Sequence, residues 1–129
     1  MQNLEQLRSV HARTQVVEWK NSLPADKRKE IVSECKRLPL VLRVNGLIAF
    51  LLFADAKEDR AVLPVSKAVL DWLSGPDSPL ALRAGVSLPV ALSEDRRVYR
   101  QALAEAVAYA TWLKRWADAT LAVEPPKQP

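Results

Sequence analysis

The sequence contains few of the residues that most catalytic and metal-binding sites require. It has one cysteine, Cys35, and one histidine, His11, in 129 residues. A lone cysteine excludes an internal disulfide, which is typical of a reducing compartment. Zinc sites need three or four ligands, and the GxSxG and phosphate-loop signatures are missing. We therefore expect no catalytic residues, no metal site, no cofactor and no small-molecule substrate. The spacing leaves open only a Cys35–His11 pair.

The chain also lacks a hydrophobic segment long enough for a membrane. Its most apolar run, residues 38–53, is shorter than the roughly 20 residues that span a bilayer, and it contains Arg43. Residues 1–15 lack the apolar core of a signal peptide. The expected location is therefore the cytoplasm, and no membrane partner is expected.

Glycine is scarce, with three residues, whereas alanine and leucine are abundant. This composition favours helix over sheet, and the nine prolines fall mainly between periodic segments. An apolar content of 49% is enough for one hydrophobic core. We predict an all-α fold, a compact single-domain helical bundle of about five to six helices with a long C-terminal helix. The domain is predicted at 1–122, followed by a disordered Pro-rich tail at 123–129.

Apolar spacing and breakers set the predicted helix boundaries. Pro39 either starts a new turn or kinks the second helix, and Asn45-Gly46 forms a joint that we prefer to a β-hairpin turn. Residues 80–92 are predicted as a short irregular or helical piece of unclear register. The predicted helices are Leu4 to Lys20, one from near Asp26 with a turn or two at Pro39 to Val44, Leu47 to Ala56, Val62 to Leu73, and one capped by Ser93 that runs to about Ala122.

The net charge is +4, which fits a nucleic-acid partner or merely a solubilising surface. On the last helix, a helical wheel separates a buried face, basic residues and aromatic residues. The buried face carries Tyr99, Ala102, Leu103, Ala106, Ala110, Leu113 and Ala117; Arg97 and Arg115 lie opposite; Arg96, Arg100 and Lys114 form one flank; and Tyr109, Trp112 and Trp116 form the other. The arginines either contact phosphates or face solvent, and the aromatic residues form either a partner interface or the rim of the core.

The second helix carries a similar basic stripe. Lys29 and Lys36 are seven residues apart and share a face, which Arg43 continues if Pro39 does not bend the helix far. Glu30 and Glu34 on the same helix weaken this signal. The stripe predicts phosphate contacts, with Arg43 alternatively paired to a carboxylate.

Two segments resemble the signatures of a known family. LPLVLRVNGL at 38–47 resembles the Leu-Pro-x-x-Ile-Arg-x-Asn-Gly-Leu signature of the small subunit of type III-B CRISPR–Cas effector (Cmr) complexes. YRQALAEAVAYATWLKRWADA at 99–119 is similar to that family's second signature, and NLEQLRSVHA is similar to its first helix. The resemblance covers residues 3–121, with only a generic match at 57–92.

This resemblance implies a helical subunit without catalytic residues. Such subunits stack head to tail inside a ribonucleoprotein filament and line the groove that holds guide RNA paired with target RNA. The implied partners are this RNA duplex, other subunits of the Cmr complex and further copies of the chain itself. By position in the signatures, Arg43, Lys114 and Arg115 are expected to face phosphates, and the helical wheel adds Arg97, Arg100, Lys29 and Lys36.

A second hypothesis is a helical protein–protein interaction module without direct RNA binding. It would use the edge of Tyr109, Trp112 and Trp116 as its partner interface. The two hypotheses differ in whether the basic residues of the second and last helices converge on one face of the folded protein.

Overall fold

The computed structural model describes residues 2–57, 60–80 and 87–122, and within these ranges it contains six α-helices and no strand. The helices are α1 (Leu4–Ser22), α2 (Ala25–Asn45), α3 (Leu47–Asp55), α4 (Val62–Ser74), α5 (Leu88–Glu94) and α6 (Arg96–Thr120). The prediction of an all-α bundle of five to six helices with a long C-terminal helix is confirmed. In the described ranges, no helix is both long and apolar enough to cross a membrane.

Helix α1 begins with a capping box and ends before a proline. The Asn3 side chain accepts a hydrogen bond from the Gln6 backbone N–H at 2.8 Å, and the Gln6 side chain accepts one from the Asn3 N–H at 2.8 Å. Leu23 is extended because the following Pro24 disfavours the helical conformation before it. Pro24 then caps α2, which starts at Ala25, close to the predicted position.

The apolar run at 38–53 is helical on both sides of a single joint. Pro39 lies inside α2, so the turns predicted at 39–44 continue that helix as far as Asn45. The joint is Gly46, whose φ of 85° is a conformation that favours glycine. Its N–H donates to the Leu42 carbonyl at 3.0 Å, and α3 begins at the next residue. The helical interpretation of this segment is therefore correct.

Helix α6 begins later than the predicted cap, Ser93, would place it. Ser93 instead lies in α5, where its hydroxyl donates to the Pro89 carbonyl at 2.8 Å. The cap of α6 is Asp95, whose carboxylate accepts from the N–H groups of Arg97 at 2.8 Å and Val98 at 3.4 Å. Both residue types are good caps, and the extended backbone at Asp95 determines which one is used.

The piece expected at 80–92 becomes helical from Leu88 onward, while 81–86 lie outside the described residues. Residues 58 and 59 and the whole predicted tail at 123–129 also lie outside them.

Helix α6 is the central element of the bundle, because it packs against each of the other five helices. Small residues on its inner face allow this close approach: Ala102, Ala106, Ala110 and Ala117 are all 0% exposed. Large side chains from the neighbouring helices fill the core around them. The largest fully buried ones include Trp72, Ile31, Leu38, Leu42, Leu47 and Leu73, and α6 itself adds Tyr109 and Leu113.

Candidate RNA-facing and partner-facing surfaces

All seven predicted RNA-binding residues lie on the protein surface. They are Arg43, Lys114, Arg115, Arg97, Arg100, Lys29 and Lys36, and each is exposed. Within the described part of the chain, none of them forms an ion pair. Arg43 therefore has no carboxylate partner there. It lies in the last turn of α2, where the helix dipole favours a positive charge.

The basic stripe of α2 lies on the side of that helix next to α6. Lys29, Lys36 and Arg43 recur every seven residues and so share a flank at 3.6 residues per turn. The opposite flank, with Glu34 and Arg37, lines a cavity of about 480 Å³ together with residues of α3 and α4. Because α3 and α4 lie on that side, the lysine stripe borders the face toward α6.

Two of the acidic residues of α2, Glu30 and Glu34, lie on a different flank from this stripe, whereas Asp26 lies three residues before Lys29 and neighbours it. Glu34 accepts from the Arg37 guanidinium at 2.8 Å, and Glu30 lies 3.6 Å from the ammonium of Lys27. Both pairs lie within α2 itself, on the flank toward α3 and α4. The two glutamates therefore weaken the positive field along the lysine stripe less than their sequence proximity suggests.

Helices α2 and α6 run in opposite directions along this surface. The Tyr99 hydroxyl, in the first turns of α6, accepts from the N–H of Leu47, just beyond the end of α2, at 3.3 Å. Near the other end of α6, the charge of Asp118 acts on Cys35, in the middle of α2. This antiparallel pairing fixes which exposed residues of the two helices are neighbours.

Arg100 and Lys114 share a flank of α6 with Asp118, since they precede it by eighteen and four residues, and the charge of Asp118 acts on Cys35 of α2. We call the surface between the two helices the α2–α6 groove. It is defined by Lys29, Lys36, Arg43, Arg100 and Lys114. Basic residues of the second and last helices thus border one face, with Asp118 as the acidic residue of α6 on the same flank.

The two remaining predicted residues of α6 lie away from the groove. Arg97 and Arg115 occupy the outer side of the helix, eighteen residues or five turns apart. The guanidinium of Arg115 lies over the indole ring of Trp112, 4.9 Å from its centroid. The helical register therefore separates both arginines from the groove that contains Lys114.

Of the three aromatic residues predicted at a partner interface, Tyr109 is instead part of the core. It is 0% exposed, its hydroxyl lies 2.6 Å from His11 Nδ1, and its ring stacks on Trp72 with centroids 5.6 Å apart. The placement of Tyr109 at a surface edge is wrong, because α1 packs over that flank of α6. Trp112 and Trp116 are only half-buried, at the rim of the core.

A comparison with protein families identifies the family of the chain. The family model for the CRISPR-associated protein Cas_Cmr5 matches residues 4–120, which include all six helices. The chain belongs to this family. The match confirms the resemblance to the small subunit of type III-B CRISPR–Cas complexes, and it implies association with other subunits of the Cmr complex. A comparison with curated proteins finds none that matches.

A polar network joins α1, α4 and α6 and extends from the core to the surface, where the Asp71 side chain is 68% exposed. His11 Nε2 donates to the Asp71 carboxylate at 2.7 Å, and Nδ1 lies 2.6 Å from the Tyr109 hydroxyl, within hydrogen-bond distance. Both ring nitrogens of His11 thereby have a hydrogen-bond partner. Burial raises the pKa of the Tyr109 hydroxyl, and the charge of Asp71 acts in the same direction. The phenol thus stays protonated and is no nucleophile.

A second part of the network surrounds Glu105, which is only 5% exposed. Its carboxylate accepts from Arg8 Nε at 2.5 Å, from Arg8 Nη2 at 2.7 Å and from the Trp72 indole N–H at 3.0 Å. The hydrogen bond to Glu105 raises the pKa of Arg8. Sequence reasoning missed this site, although Glu105 interrupts the alanine-rich face between Ala102 and Ala106 and so signalled a buried charge.

The chemistry of Cys35 also differs from that of a reactive thiol. It is 0% exposed, and burial raises its pKa to about 12, with the charges of Glu34 and Asp118 acting in the same direction. Neither Cys35 nor His11 lines any of the cavities of about 290, 480 and 790 Å³ in the described part of the bundle. The described ranges also contain no cluster of three or more histidine, cysteine, aspartate or glutamate residues that could hold a metal ion.

Proposed function

We propose that this chain is a non-catalytic structural subunit of a type III-B CRISPR RNA-guided interference complex in antiviral defence. It lines the inner filament and supports the duplex of guide RNA and target RNA through sequence-independent contacts to the RNA backbone. The observation that carries this proposal is the α2–α6 groove, whose five exposed cations form no ion pair within the described ranges.

The length of the basic stripe on α2 suits an RNA backbone. Lys29 and Arg43 are fourteen residues apart on one helix, which corresponds to about 21 Å at 1.5 Å per residue. A stripe of this length passes several successive phosphates of one strand. Lysine and arginine contacts to phosphates carry no sequence information, and base pairing between guide and target supplies it. The A-form shape of the duplex is itself recognised through backbone contacts.

The lack of catalysis is supported by the state of the chemically competent side chains. Cys35 is buried with a raised pKa, and the Tyr109 hydroxyl is occupied by His11. Among the described residues, every buried side-chain nitrogen or oxygen atom has a hydrogen-bond partner. Such a satisfied interior supports a scaffold role for the bundle rather than a reaction centre.

The remaining parts of the proposal concern the partner subunits of the chain and its location in the cell. We propose that further copies of the chain and other Cmr subunits flank it in a cytoplasmic ribonucleoprotein. Arg97 lies outside the groove, and its predicted RNA contact stays a prediction.

The test is target-RNA capture by the assembled complex. A groove variant, Lys36→Gln/Arg43→Gln/Lys114→Gln, removes three cations from the groove. A matched control, Lys27→Gln/Arg37→Gln/Lys67→Gln, removes three exposed cations from the flank toward α3 and α4. The logarithm of the affinity falls with the logarithm of the salt concentration, and each lost phosphate contact makes this slope less steep by about 0.9. The groove variant is therefore expected to reduce the steepness by between about 2 and 3.

The control is expected to leave capture and its salt dependence unchanged. Native mass spectrometry of both complexes establishes that each variant is incorporated at the wild-type stoichiometry. Equal capture and equal salt slopes for groove variant, control and wild type would contradict the assignment of the groove to RNA.

A further inference from the structure

A second surface lies on the side of α6 that packs against α1, away from the α2–α6 groove. We call it the arginine–tryptophan face, and it is defined by Val10, Arg13 and Val17 of α1 and by Trp112, Arg115 and Trp116 of α6. The Arg13 guanidinium lies 5.7 Å from the centroid of the Trp116 ring, and that of Arg115 lies 4.9 Å from the centroid of Trp112. Two cations are thus held over two indole rings.

The core holds the two indole rings in place, and this limits the movement of the guanidinium groups that lie against them. Trp112 and Trp116 both pack against the core, and the Trp116 indole N–H donates to the Ser9 hydroxyl at 3.0 Å. A guanidinium placed over a fixed ring keeps its N–H groups directed outward and loses less freedom on binding. Arg13 and Arg115 form no ion pair with any carboxylate in the described ranges.

Aliphatic side chains lie beside these cations. Val10 is 50% exposed and Val17 is 36% exposed, and their spacing of seven residues places them on one flank of α1 with Arg13. Tryptophan and arginine are among the residue types that most often dominate binding at protein interfaces, and the two exposed valines add apolar surface beside Arg13.

We propose that the arginine–tryptophan face binds a Cmr subunit other than a second copy of this chain, one whose surface presents carboxylates beside aliphatic side chains. The charge on the face calls for carboxylates, which can pair bidentately with both guanidinium groups. The two valines favour apolar side chains on the partner, and an RNA backbone offers none. Bases have no free ring to stack on, since a guanidinium already covers each indole. The inference rests on the proposed role as a subunit and reassigns Arg115 from RNA to protein.

Charge reversal tests this assignment in the reconstituted complex. The variant Arg13→Glu/Arg115→Glu, co-expressed with the other Cmr subunits, is expected to enter the complex at least about tenfold less well than wild type. Arg13→Lys/Arg115→Lys keeps the charge but loses the planar stack, so its incorporation should be intermediate. Lys27→Glu/Lys67→Glu is the matched control. Circular dichroism of the isolated subunits establishes that all variants fold.

A crosslinking experiment identifies what covers the face. Val10→p-benzoylphenylalanine, irradiated in the assembled complex, is expected to crosslink to another Cmr subunit within a segment that contains aspartate or glutamate. A crosslink to RNA, to a second copy of this chain or to a segment without acidic residues would overturn the inference, as would wild-type incorporation of the charge-reversal variant.

The proposals for the groove and for the arginine–tryptophan face can be refuted independently of each other. If groove variants assemble but capture target RNA normally while face variants fail to assemble, the RNA role is wrong and the docking surface stands. If face variants assemble normally but lose RNA capture, Arg13 and Arg115 belong to the RNA-binding surface instead.

Discussion

Removing the Glu105 carboxylate should destabilise the bundle more than any single surface change. The carboxylate accepts three hydrogen bonds, two from Arg8 and one from the Trp72 indole, while 5% exposed. Its two partners belong to two other helices, Arg8 to α1 and Trp72 to α4. Glu105→Ala therefore breaks a connection between α1, α4 and α6 at once.

The magnitude follows from the groups that lose their partner. An unpaired buried N–H on Trp72, which is 1% exposed, costs about 1–3 kcal/mol. Breaking a fully buried ion pair costs about 3–5 kcal/mol. The Arg8 side chain is 19% exposed and can turn toward water, which lowers that second cost. We expect a total loss of about 3–4 kcal/mol for Glu105→Ala. Glu105→Gln keeps an acceptor for Trp72 and should lose about half as much.

Urea unfolding at neutral pH, followed by far-UV circular dichroism, measures these free energies. A double-mutant cycle with Arg8→Met and Glu105→Leu isolates the pair, and we expect a coupling free energy of about 2 kcal/mol. Strict additivity of the two single changes, or a loss below about 1 kcal/mol for Glu105→Ala, would refute the argument that this buried network holds the three helices together.

Three further predictions concern a thiol, a turn and a cap. The pKa of the Cys35 thiol has its ordinary value of 9.0 in the unfolded chain and rises to about 12 on folding, so the unfolded chain binds fewer protons between these values and stability falls as pH rises. The loss of stability should reach about 1.4 kcal/mol at pH 10 and be absent in Cys35→Ala. Urea titrations at pH 8 and 10 measure it, and equal losses in both proteins would contradict the role of the thiol. Gly46→Ala should cost about 2–3 kcal/mol, because φ is 85° and the new Cβ would meet the Tyr99 hydroxyl at 2.6 Å; an unchanged melting temperature would refute this. Asp95→Ala should cost about 1 kcal/mol in chemical denaturation, whereas Ser93→Ala should cost far less; the reverse order would put the cap of α6 at Ser93.

Sequence periodicity was sufficient for the helices but not for every boundary. Spacing of apolar residues located α1, α4 and α6 because each has one buried face. Pro39 was a weaker breaker than its type suggests, since a proline removes one N–H and the surrounding turns of α2 are held by packing. The start of α6 was misplaced because Ser93 and Asp95 are both good caps, and the choice depends on the backbone at Asp95.

The candidate surfaces were only partly accessible from the sequence. That Arg43 and Lys114 are exposed follows from their helical wheels, but their position on one groove depends on the packing of α2 against α6. Tyr109 and Trp112 looked equivalent on the wheel of α6. Only the docking of α1 distinguishes them, by placing His11 against the Tyr109 hydroxyl while Trp112 keeps part of its ring exposed.

The central position of α6 has a consequence for biosynthesis. The ribosome releases this helix after the five helices that it contacts, so α1 to α5 emerge without the element that buries their apolar faces. Arg8 and His11, made near the beginning, must wait for Glu105 and Tyr109 before their hydrogen bonds form. The bundle therefore closes only after translation has passed α6. A chain that stops before this helix retains exposed hydrophobic surface, which makes it a substrate for chaperones and proteases.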